Sequence, residues 1–385
     1  MRRAALCSII PPHILRNIAE RGDDDARRDA QLALELTAQM RGERVALAEL
    51  MRLPAIPTGE KRRTIFDARN TRDLPGKRIR GEGDAAVRDV AVNEAFDGAG
   101  KTYDFYKRVY GRNSLDDRGL RLDGSVHYGV RYDNALWNGR QMIYGDGDGR
   151  YFNRFTESLD VIAHELTHGV TQYTAALEYD AQSGALNEHF SDVFGVLTKQ
   201  YSLKQTAAKA NWLIGEGLFT SRVHGAAIRS MKAPGTAYDD PVVGKDPQPA
   251  HMSHYVKTDL DNGGVHVNSG IPNRAFYELA TLLGGKAWEV AGKIWYRTLT
   301  SELRSRADFQ HCADATWKVA GSLFGAGSGA QHAVLAAWRV VGITIKPAVI
   351  TDGPRVPLKE RYRPPAGAAE VPASLPPYVG VTSGG

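Results

Sequence analysis

Two histidines and a glutamate fall within five residues of each other in the stretch VIAHELTHGVTQY, residues 161–173. On a helix, residues four apart lie one above the other, so His164 and His168 would present their imidazoles on one face, with Glu165 beside them. This is the pattern H-E-x-x-H, in which the histidines bind zinc and the carboxylate accepts a proton from metal-bound water. The same five letters also occur in ordinary solvated helices, so the surrounding residues must decide between these interpretations.

The surroundings favour a metal site. The motif is flanked by Val161, Ile162, Leu166 and Val170, and three ionisable groups would be costly to bury in this apolar setting without partners. A catalytic zinc ion usually takes a third protein ligand and keeps its fourth position for water. The sequence therefore requires a further carboxylate or histidine on a neighbouring element.

The segment SGALNEHFSDVFG, which follows the motif, predicts a second helix that supplies this ligand. Glu188 on that helix can approach the same metal. Asp192, one turn later on the same face, can accept the free ring N–H of a ligating histidine, a partner that such histidines almost always have. His189 lies on a different face and is interpreted as structural.

Length and composition indicate the number of domains and the kinds of partner to expect. A chain of 385 residues exceeds the size of one hydrophobic core, so we expect two domains and accessory segments. A net charge of +5 is small for this length and indicates neither a nucleic acid nor an anionic membrane as partner. Apolar runs fall short of the roughly 20 residues that span a bilayer, so a soluble protein is expected.

Two further features bear on localisation. The basic start is followed by an apolar stretch that Pro11 and Pro12 interrupt, so we expect no classical signal peptide. The only two cysteines, Cys7 and Cys312, do not indicate a fold stabilised by disulfides. These features predict a cytoplasmic precursor, or secretion by a non-classical route.

Composition and predicted secondary structure change four times along the chain. Residues 1–52 are predicted to be helical, and 53–60 (LPAIPTGE) to be a linker. Residues 62–150 alternate like strands, whereas 159–345 carry apolar residues at helical spacing. The last forty residues hold eight of the 18 prolines and predict an extended appendage.

Taken together, the motifs resemble the thermolysin-like zinc metalloproteases. The matching blocks, in the family's order, are YDNALWNGRQMIYGDGDG, DVIAHELTHGVTQYTAALEY, SGALNEHFSDVFG, NWLIGEG, RSM and DNGGVHVNSGI. The opening CSIIPPHILRNIAERG resembles the short propeptide of the protealysin subgroup. The resemblance implies an α+β fold with a mixed N-terminal lobe and a helical C-terminal lobe. It divides the chain into a propeptide (1–55), an N-terminal catalytic lobe (56–180), a C-terminal catalytic lobe (181–345) and a Pro-rich tail (346–385).

The resemblance also implies a role for each matching residue. His164, His168 and Glu188 would bind one zinc ion, with Asn187 and Asp192 as partners of the ligand histidines. Glu165 would be the general base, His266 and Tyr179 the donors to the oxyanion, and Asp261 the carboxylate that orients His266. Asn134, the Ala135 carbonyl and Arg229 would hold the substrate backbone, and Val161 and Ile228 would form the apolar wall of the pocket after the scissile bond.

The function implied is a monomeric zinc endopeptidase made as a zymogen, which cuts peptide and protein substrates before bulky apolar residues and is inhibited by its own propeptide. An aminopeptidase with a similar zinc signature is disfavoured, because DNGGVH and YDNALWNG match the endopeptidases. An alternative of another class is a long-lived latent precursor that acts through protein binding, with the Pro-rich tail as its docking segment.

The sequence departs from the family at a double calcium site. Asp160 and Glu216 remain, but Lys199, Asn211 and Leu213 occupy other matching positions. Calcium needs six to eight oxygen ligands, and a lysine ammonium can pair with the surviving carboxylates instead. We therefore expect calcium to be absent there.

The prosegment allows two modes of inhibition. A Cys7 thiolate could bind the zinc. Alternatively, Ile9 or Ile10 could lie in the substrate pocket, which we favour.

Overall fold

The computed structural model describes residues 7–50 and 59–345, with the side chains of residues 8–40 and 59–345. Its strands are β1 Cys7–Ser8, β2 Arg63–Asp67, β3 Lys77–Gly81, β4 Leu122–Val126, β5 Ala135–Trp137, β6 Met142–Tyr144, β7 Leu213–Ile214, β8 Arg229–Ser230, β9 Asp239–Asp240 and β10 Gly244–Lys245. Its α-helices are α1 Pro12–Arg21, α2 Asp24–Leu50, α3 Val90–Tyr110, α4 Leu159–Gln172, α5 Ala181–Leu203, α6 Asp261–Asn268, α7 Gly270–Leu283, α8 Ala291–Arg297, α9 Phe309–Phe324 and α10 Gly329–Val340.

A mixed six-stranded sheet forms the N-terminal lobe, in the order β1-β5-β6-β4-β2-β3. Strand β4 runs parallel to both β2 and β6, whereas β5 is antiparallel to β6 and to β1. Strand β1, at one edge, therefore places the N-terminal segment beside β5. The expected mixed α/β lobe is confirmed.

Helix α3 corrects the prediction that residues 62–150 are strand-like throughout. Asp89 caps its first turn by accepting the N–H of Val92 (3.3 Å), and Gly111 ends it with a left-handed φ of 72°. Both are standard helix boundary residues. The helix packs against β2, β4 and α4, so it covers the sheet and supports the helix that carries H-E-x-x-H.

The C-terminal lobe is built mainly of helices, as the resemblance implies. Helix α5 packs along α4 and also contacts α6, α7 and α8. The lobe is less uniformly helical than its sequence suggests, because residues 205–260 contain the short strands β7 to β10 and loops between them.

Helices α1 and α2 dock the N-terminal segment onto both lobes. Asn17 on α1 donates to the carbonyl of Val243 (2.9 Å), and Asp29 on α2 pairs with Arg131 (3.0 Å). The apolar residues Ile14, Leu15 and Ile18 of α1 are buried. The prosegment is therefore packed as part of the molecule.

The linker at 53–60 lies largely outside the described residues, and the Pro-rich tail at 346–385 lies entirely outside them. In the ranges 7–50 and 59–345, we find no helix with the length and apolar character needed to cross a membrane.

Candidate metal centre and peptide-binding cleft

The site forms where α4 and α5 cross closely. A Cβ atom at Gly195 of α5 would lie 2.6 Å from the Asp160 carbonyl oxygen of α4 and 3.3 Å from the His164 Cβ. Only glycine tolerates this approach of the two backbones. The close crossing brings Glu188 and Asp192, on the preceding turns of α5, next to the histidines of α4.

The three expected metal ligands meet at this crossing. The Nε2 atoms of His164 and His168 lie 3.1 Å apart, and the Glu188 carboxylate oxygens lie 3.4 and 3.6 Å from them. All three side chains are buried. One ligand atom from each residue falls within 4.8 Å of the other two, so the group could hold a metal ion.

The tautomers of the two rings test whether the group fits a cation. His164 Nδ1 lies 2.8 Å from a carboxylate oxygen of Asp192, and His168 Nδ1 lies 2.8 Å from the amide oxygen of Asn187. Rings that donate from Nδ1 turn their Nε2 lone pairs toward each other and toward Glu188. Three facing acceptors repel unless a cation lies between them, and two imidazoles with a carboxylate suit zinc.

The electrostatics of the pocket agree with this fit. Burial lowers the pKa of His164, but the carboxylates of Asp192 and Glu188 outweigh it and raise that pKa to about 9. The pocket therefore stabilises positive charge at the ligands themselves.

Glu165 lies beside the ligands and is fully buried. One carboxylate oxygen accepts the backbone N–H of Trp137 in β5 (3.0 Å). Burial raises the pKa of this carboxyl to about 8. A carboxylate that is costly to ionise is well suited to accept a proton.

His266 and Tyr179 converge on the same space from the C-terminal lobe. The turn before His266 has φ of 53° at Asp261 and 50° at Asn262, followed by two left-handed glycines. This backbone lets Asp261 face its own loop, where it accepts the N–H of His266 (2.9 Å) and lies 2.7 Å from His266 Nδ1. Burial opposes protonation of His266, but Asp261 raises its pKa.

The remaining nitrogen, His266 Nε2, lies 3.2 Å from the Tyr179 hydroxyl and 3.1 Å from the carbonyl oxygen of Ser8 in the prosegment. The Tyr179 hydroxyl also donates to Glu188. His266 therefore links the carbonyl group of Ser8 to Tyr179, whose hydroxyl contacts the metal-ligand group through Glu188.

The prosegment continues along β5 as an added strand. The N–H of Ile9 donates to the Ala135 carbonyl (3.1 Å), and the N–H of Ile10 donates to the Asn134 side-chain oxygen (3.1 Å). Arg229 donates to the Ile9 carbonyl (3.1 Å). The three residues expected to hold a substrate backbone thus hold the backbone of this segment.

The predicted pocket residues Val161 and Ile228 are both buried. Val161 lies one turn before His164, and Ile228 directly precedes Arg229. Ile9 is also fully buried. The alternative in which Cys7 binds the metal concerns a side chain outside the described residues.

Comparison with known families covers both lobes and the prosegment. The thermolysin metallopeptidase catalytic domain matches residues 31–172, the thermolysin metallopeptidase alpha-helical domain matches 175–343, and the protealysin propeptide matches 7–47. The chain belongs to the thermolysin family of metallopeptidases. It is therefore a metalloendopeptidase of that family made with a propeptide.

Individual relatives agree with this assignment. The chain is 49% identical over 347 residues to an extracellular metalloprotease of Pectobacterium carotovorum subsp. carotovorum, covering 90% of this chain and 99% of that protein. It is 47% identical to the protease PrtS of Photorhabdus sp. (strain Az29), covering 88% and 92%. Among solved structures, the precursor of protealysin, a metalloproteinase from Serratia proteamaculans, matches with a TM-score of 0.80 and 53% identity, covering 88% of this chain and 100% of that chain.

Lys199 lies where the sequence analysis expects the family's calcium site to be lost. Lys199 Nζ lies 3.4 Å from Asp160 and 3.2 Å from Glu216, and Asn211 donates to Glu216 (2.7 Å). Burial lowers the pKa of Lys199, but the two carboxylates outweigh it and raise that pKa. An ammonium group therefore balances these acids.

Sequence reasoning missed several contacts of the metallopeptidase site. The pairing of Cys7–Ser8 with β5 was not predicted, because a two-residue strand carries no signal for its partner. Gln248, which donates to the carbonyl of His266 (2.7 Å), was also missed. The bidentate pair of Arg229 with Asp192 (2.9 and 2.8 Å) joins two residues that the sequence analysis treated separately.

Proposed function

We propose that this metallopeptidase binds one zinc ion through His164, His168 and Glu188 and cleaves peptide bonds before bulky apolar residues. The observation that supports the proposal most strongly is the position of the prosegment, whose backbone is bound by the predicted substrate-binding residues. Ser8 O lies 3.1 Å from His266 Nε2, and the next residue, Ile9, donates to Ala135 and accepts from Arg229. A peptide substrate in the same register would present its scissile carbonyl at the position of Ser8.

Each residue then has a defined task. Zinc, when bound, supplies an activated water and polarises the scissile carbonyl. Glu165 takes a proton from that water and passes it to the leaving amine. His266 and Tyr179 donate to the developing oxyanion, and Asp261 keeps His266 oriented with its Nε2 toward the carbonyl.

The specificity follows from the residue after the scissile bond. In the prosegment this residue is Ile9, whose side chain is fully buried. Val161 and Ile228 are proposed as the apolar wall that receives it, so substrates with a bulky apolar residue there gain burial energy. Asn134, Ala135 and Arg229 hold the backbone regardless of sequence.

The prosegment would inhibit by occupying this cleft as an added strand. We propose residues 1–55 as the propeptide, 56–180 and 181–345 as the catalytic lobes and 346–385 as a tail. We further propose that the enzyme is a monomer and that Lys199 takes the place of calcium beside Asp160. Secretion is consistent with the names of the extracellular relatives.

Intact-mass spectrometry with zinc quantification tests the proposal. Wild type, Glu165→Ala and the surface control Glu289→Ala are purified and followed over time. We expect one zinc in all three, and loss of the segment that contains residues 7–47 in wild type and in the control only. If Glu165→Ala lost its zinc, its failure to process would follow from the missing metal and would not identify Glu165 as the base. Equal processing of all three would show that another protease removes the segment.

A further inference from the structure

Asp192 serves the metal centre and the substrate clamp with one carboxylate. Its Oδ1 lies 2.8 Å from His164 Nδ1 and accepts from Arg229 Nη2 (2.8 Å). Its Oδ2 accepts from Arg229 Nε (2.9 Å) and from Asn273 Nδ2 (2.8 Å). Burial opposes ionisation, but Arg229 holds the pKa of this carboxyl below its usual range. A small rotation of Asp192 would therefore disturb a metal ligand and the clamp together.

Asn273 is itself held by a chain of hydrogen bonds that begins in the core. The indole Nε1 of Trp295 on α8 donates to His189 Nε2 (2.7 Å), and His189 Nδ1 lies 2.8 Å from Asn273 Oδ1. All three side chains are buried.

The direction of this chain is fixed by chemistry. An indole N–H can only donate, so His189 Nε2 must accept and the ring proton must lie on Nδ1. That proton is donated to Asn273 Oδ1, which turns the Asn273 amide group toward Asp192. The opposite amide orientation would face a carbonyl oxygen against the carboxylate.

We propose that His189 is a positioning residue for the reaction, acting through Asn273 on Asp192. It fixes the one amide orientation in which Asn273 donates to Asp192. Through Asp192 it keeps His164 and Arg229 in their positions relative to each other. This inference rests on the proposed function for its effect on catalysis, whereas its effect on hydrogen bonding stands without it.

A purely structural role explains the arrangement less well. An apolar residue could fill the space between Trp295 and Asn273 without the desolvation of an imidazole ring. The polar chain ends on the carboxylate that joins two parts of the active site, and each donor in the chain is used once. Such fully satisfied buried networks favour a single geometry.

Three variants test the proposal in kinetic and metal-binding assays. His189→Phe removes the hydrogen bonds to Trp295 and Asn273. His189→Gln can still accept from Trp295 and donate to Asn273. Asn273→Asp keeps the shape of the side chain but removes the donor to Asp192. We expect His189→Phe and Asn273→Asp to lose activity by about tenfold and to release zinc to a chelator about tenfold faster, at the lower end of effects for groups behind a metal ligand. His189→Gln should restore most of both properties.

Thr316→Val is the matched control. It removes the acceptor of another buried tryptophan, Trp338, whose indole donates to Thr316 (2.9 Å) in the same lobe. We expect this variant to lose stability without a change in activity or in zinc release. If Thr316→Val matches His189→Phe in both, or if His189→Gln is as impaired as His189→Phe, the positioning role is wrong.

A measurement on the folded precursor covers the case in which the variants do not fold. In ¹⁵N-labelled Glu165→Gln protein, used to prevent self-digestion, the histidine side-chain resonances report which ring nitrogen carries the proton. We expect the proton of His189 on Nδ1, and a proton on Nε2 would overturn the proposal. Because this readout needs no proteolysis, it separates failure of the inference from failure of the proposed function.

Discussion

Helices α4 and α5 hold two charged clusters that balance their charges in different ways. In the first, His164, His168 and Glu188 direct acceptor atoms toward one another, with the two Nε2 atoms 3.1 Å apart. In the second, one turn earlier on α4, Asp160 faces the ammonium group of Lys199 (3.4 Å).

The difference shows how one helix pair can carry both a functional and a structural charge cluster. A lysine supplies its cation within the chain, so the second cluster is complete when the protein folds. The first cluster gains its full stability only from an ion that is added, and the same feature makes that ion available for chemistry. A buried group of acids and histidines is therefore a metal candidate when the chain supplies no cation of its own.

Breaking the first cluster should have the largest effect. Glu188→Gln removes the negative ligand but keeps the size of the side chain, so we expect zinc content to fall from one per chain to near zero. Proteolysis should fall by about a thousandfold or more, because several kcal/mol of transition-state stabilisation are lost with the metal. Zinc quantification and peptide hydrolysis measure both.

Glu302→Gln is the control for that substitution, since Glu302 pairs with Lys318 at the surface (2.8 Å). It should retain zinc and activity. A Glu188→Gln protein that still holds one zinc with unchanged activity would show that the carboxylate is not a ligand.

The first cluster could be predicted from the sequence because its determinants are local. His164 and His168 are one helical turn apart, and so are Glu188 and Asp192, so helix periodicity alone places each pair on one face. The resemblance to a family then brings the two helices together. The cost of burying these groups in an apolar segment also indicated a metal site.

Other features depend on contacts between distant segments, and sequence reasoning did not find them. The chain from Trp295 through His189 to Asn273 joins three helices, and none of these residues carries a local signal for its partner. Strand β1 forms only because β5 offers an unpaired edge. Helix α3 differs from these features, because its boundary residues Asp89 and Gly111 are local signals and its position can be predicted from the sequence.

Changing the second cluster should alter stability rather than catalysis. Lys199→Met leaves Asp160 buried without its cation, and we expect a loss of about 2 kcal/mol in the free energy of unfolding. This is less than the loss for a fully enclosed pair, because Glu216 is exposed to solvent. Urea unfolding measures it, with the exposed Lys209→Met as control.

A second substitution in the same cluster asks whether it can be turned into a metal site. Lys199→Asp adds a carboxylate next to Asp160 and Glu216, so calcium should raise the melting temperature of this variant and leave that of wild type unchanged. Stabilisation of wild type by calcium to the same extent as Lys199→Asp would instead show that the lysine does not exclude the ion.

A third cluster balances its charge with a removable proton and gives the smallest expected effect. His127 lies between Asp146 (2.9 Å) and Asp89 (2.8 Å). The hydrogen bond to Asp146 is the largest influence and, with Asp89, raises the pKa of His127 to about 9 against the opposing effect of burial. At neutral pH this histidine therefore carries the charge that a lysine supplies in the second cluster.

The sign of the pH dependence follows from the raised pKa. A group whose pKa is higher in the folded than in the unfolded chain contributes stability that is complete below pH 6.5 and is lost as the pH rises through about 9. Because the ring is partly solvated, we expect a contribution of about 1–2 kcal/mol. Urea unfolding of the Glu165→Gln precursor at pH 6 and pH 9.5 should show this loss on top of the general alkaline destabilisation, and His127→Gln should show only the latter. Equal losses in the two proteins would mean that His127 is not held as a cation, and this histidine would then not balance its acids as Lys199 does in the second cluster.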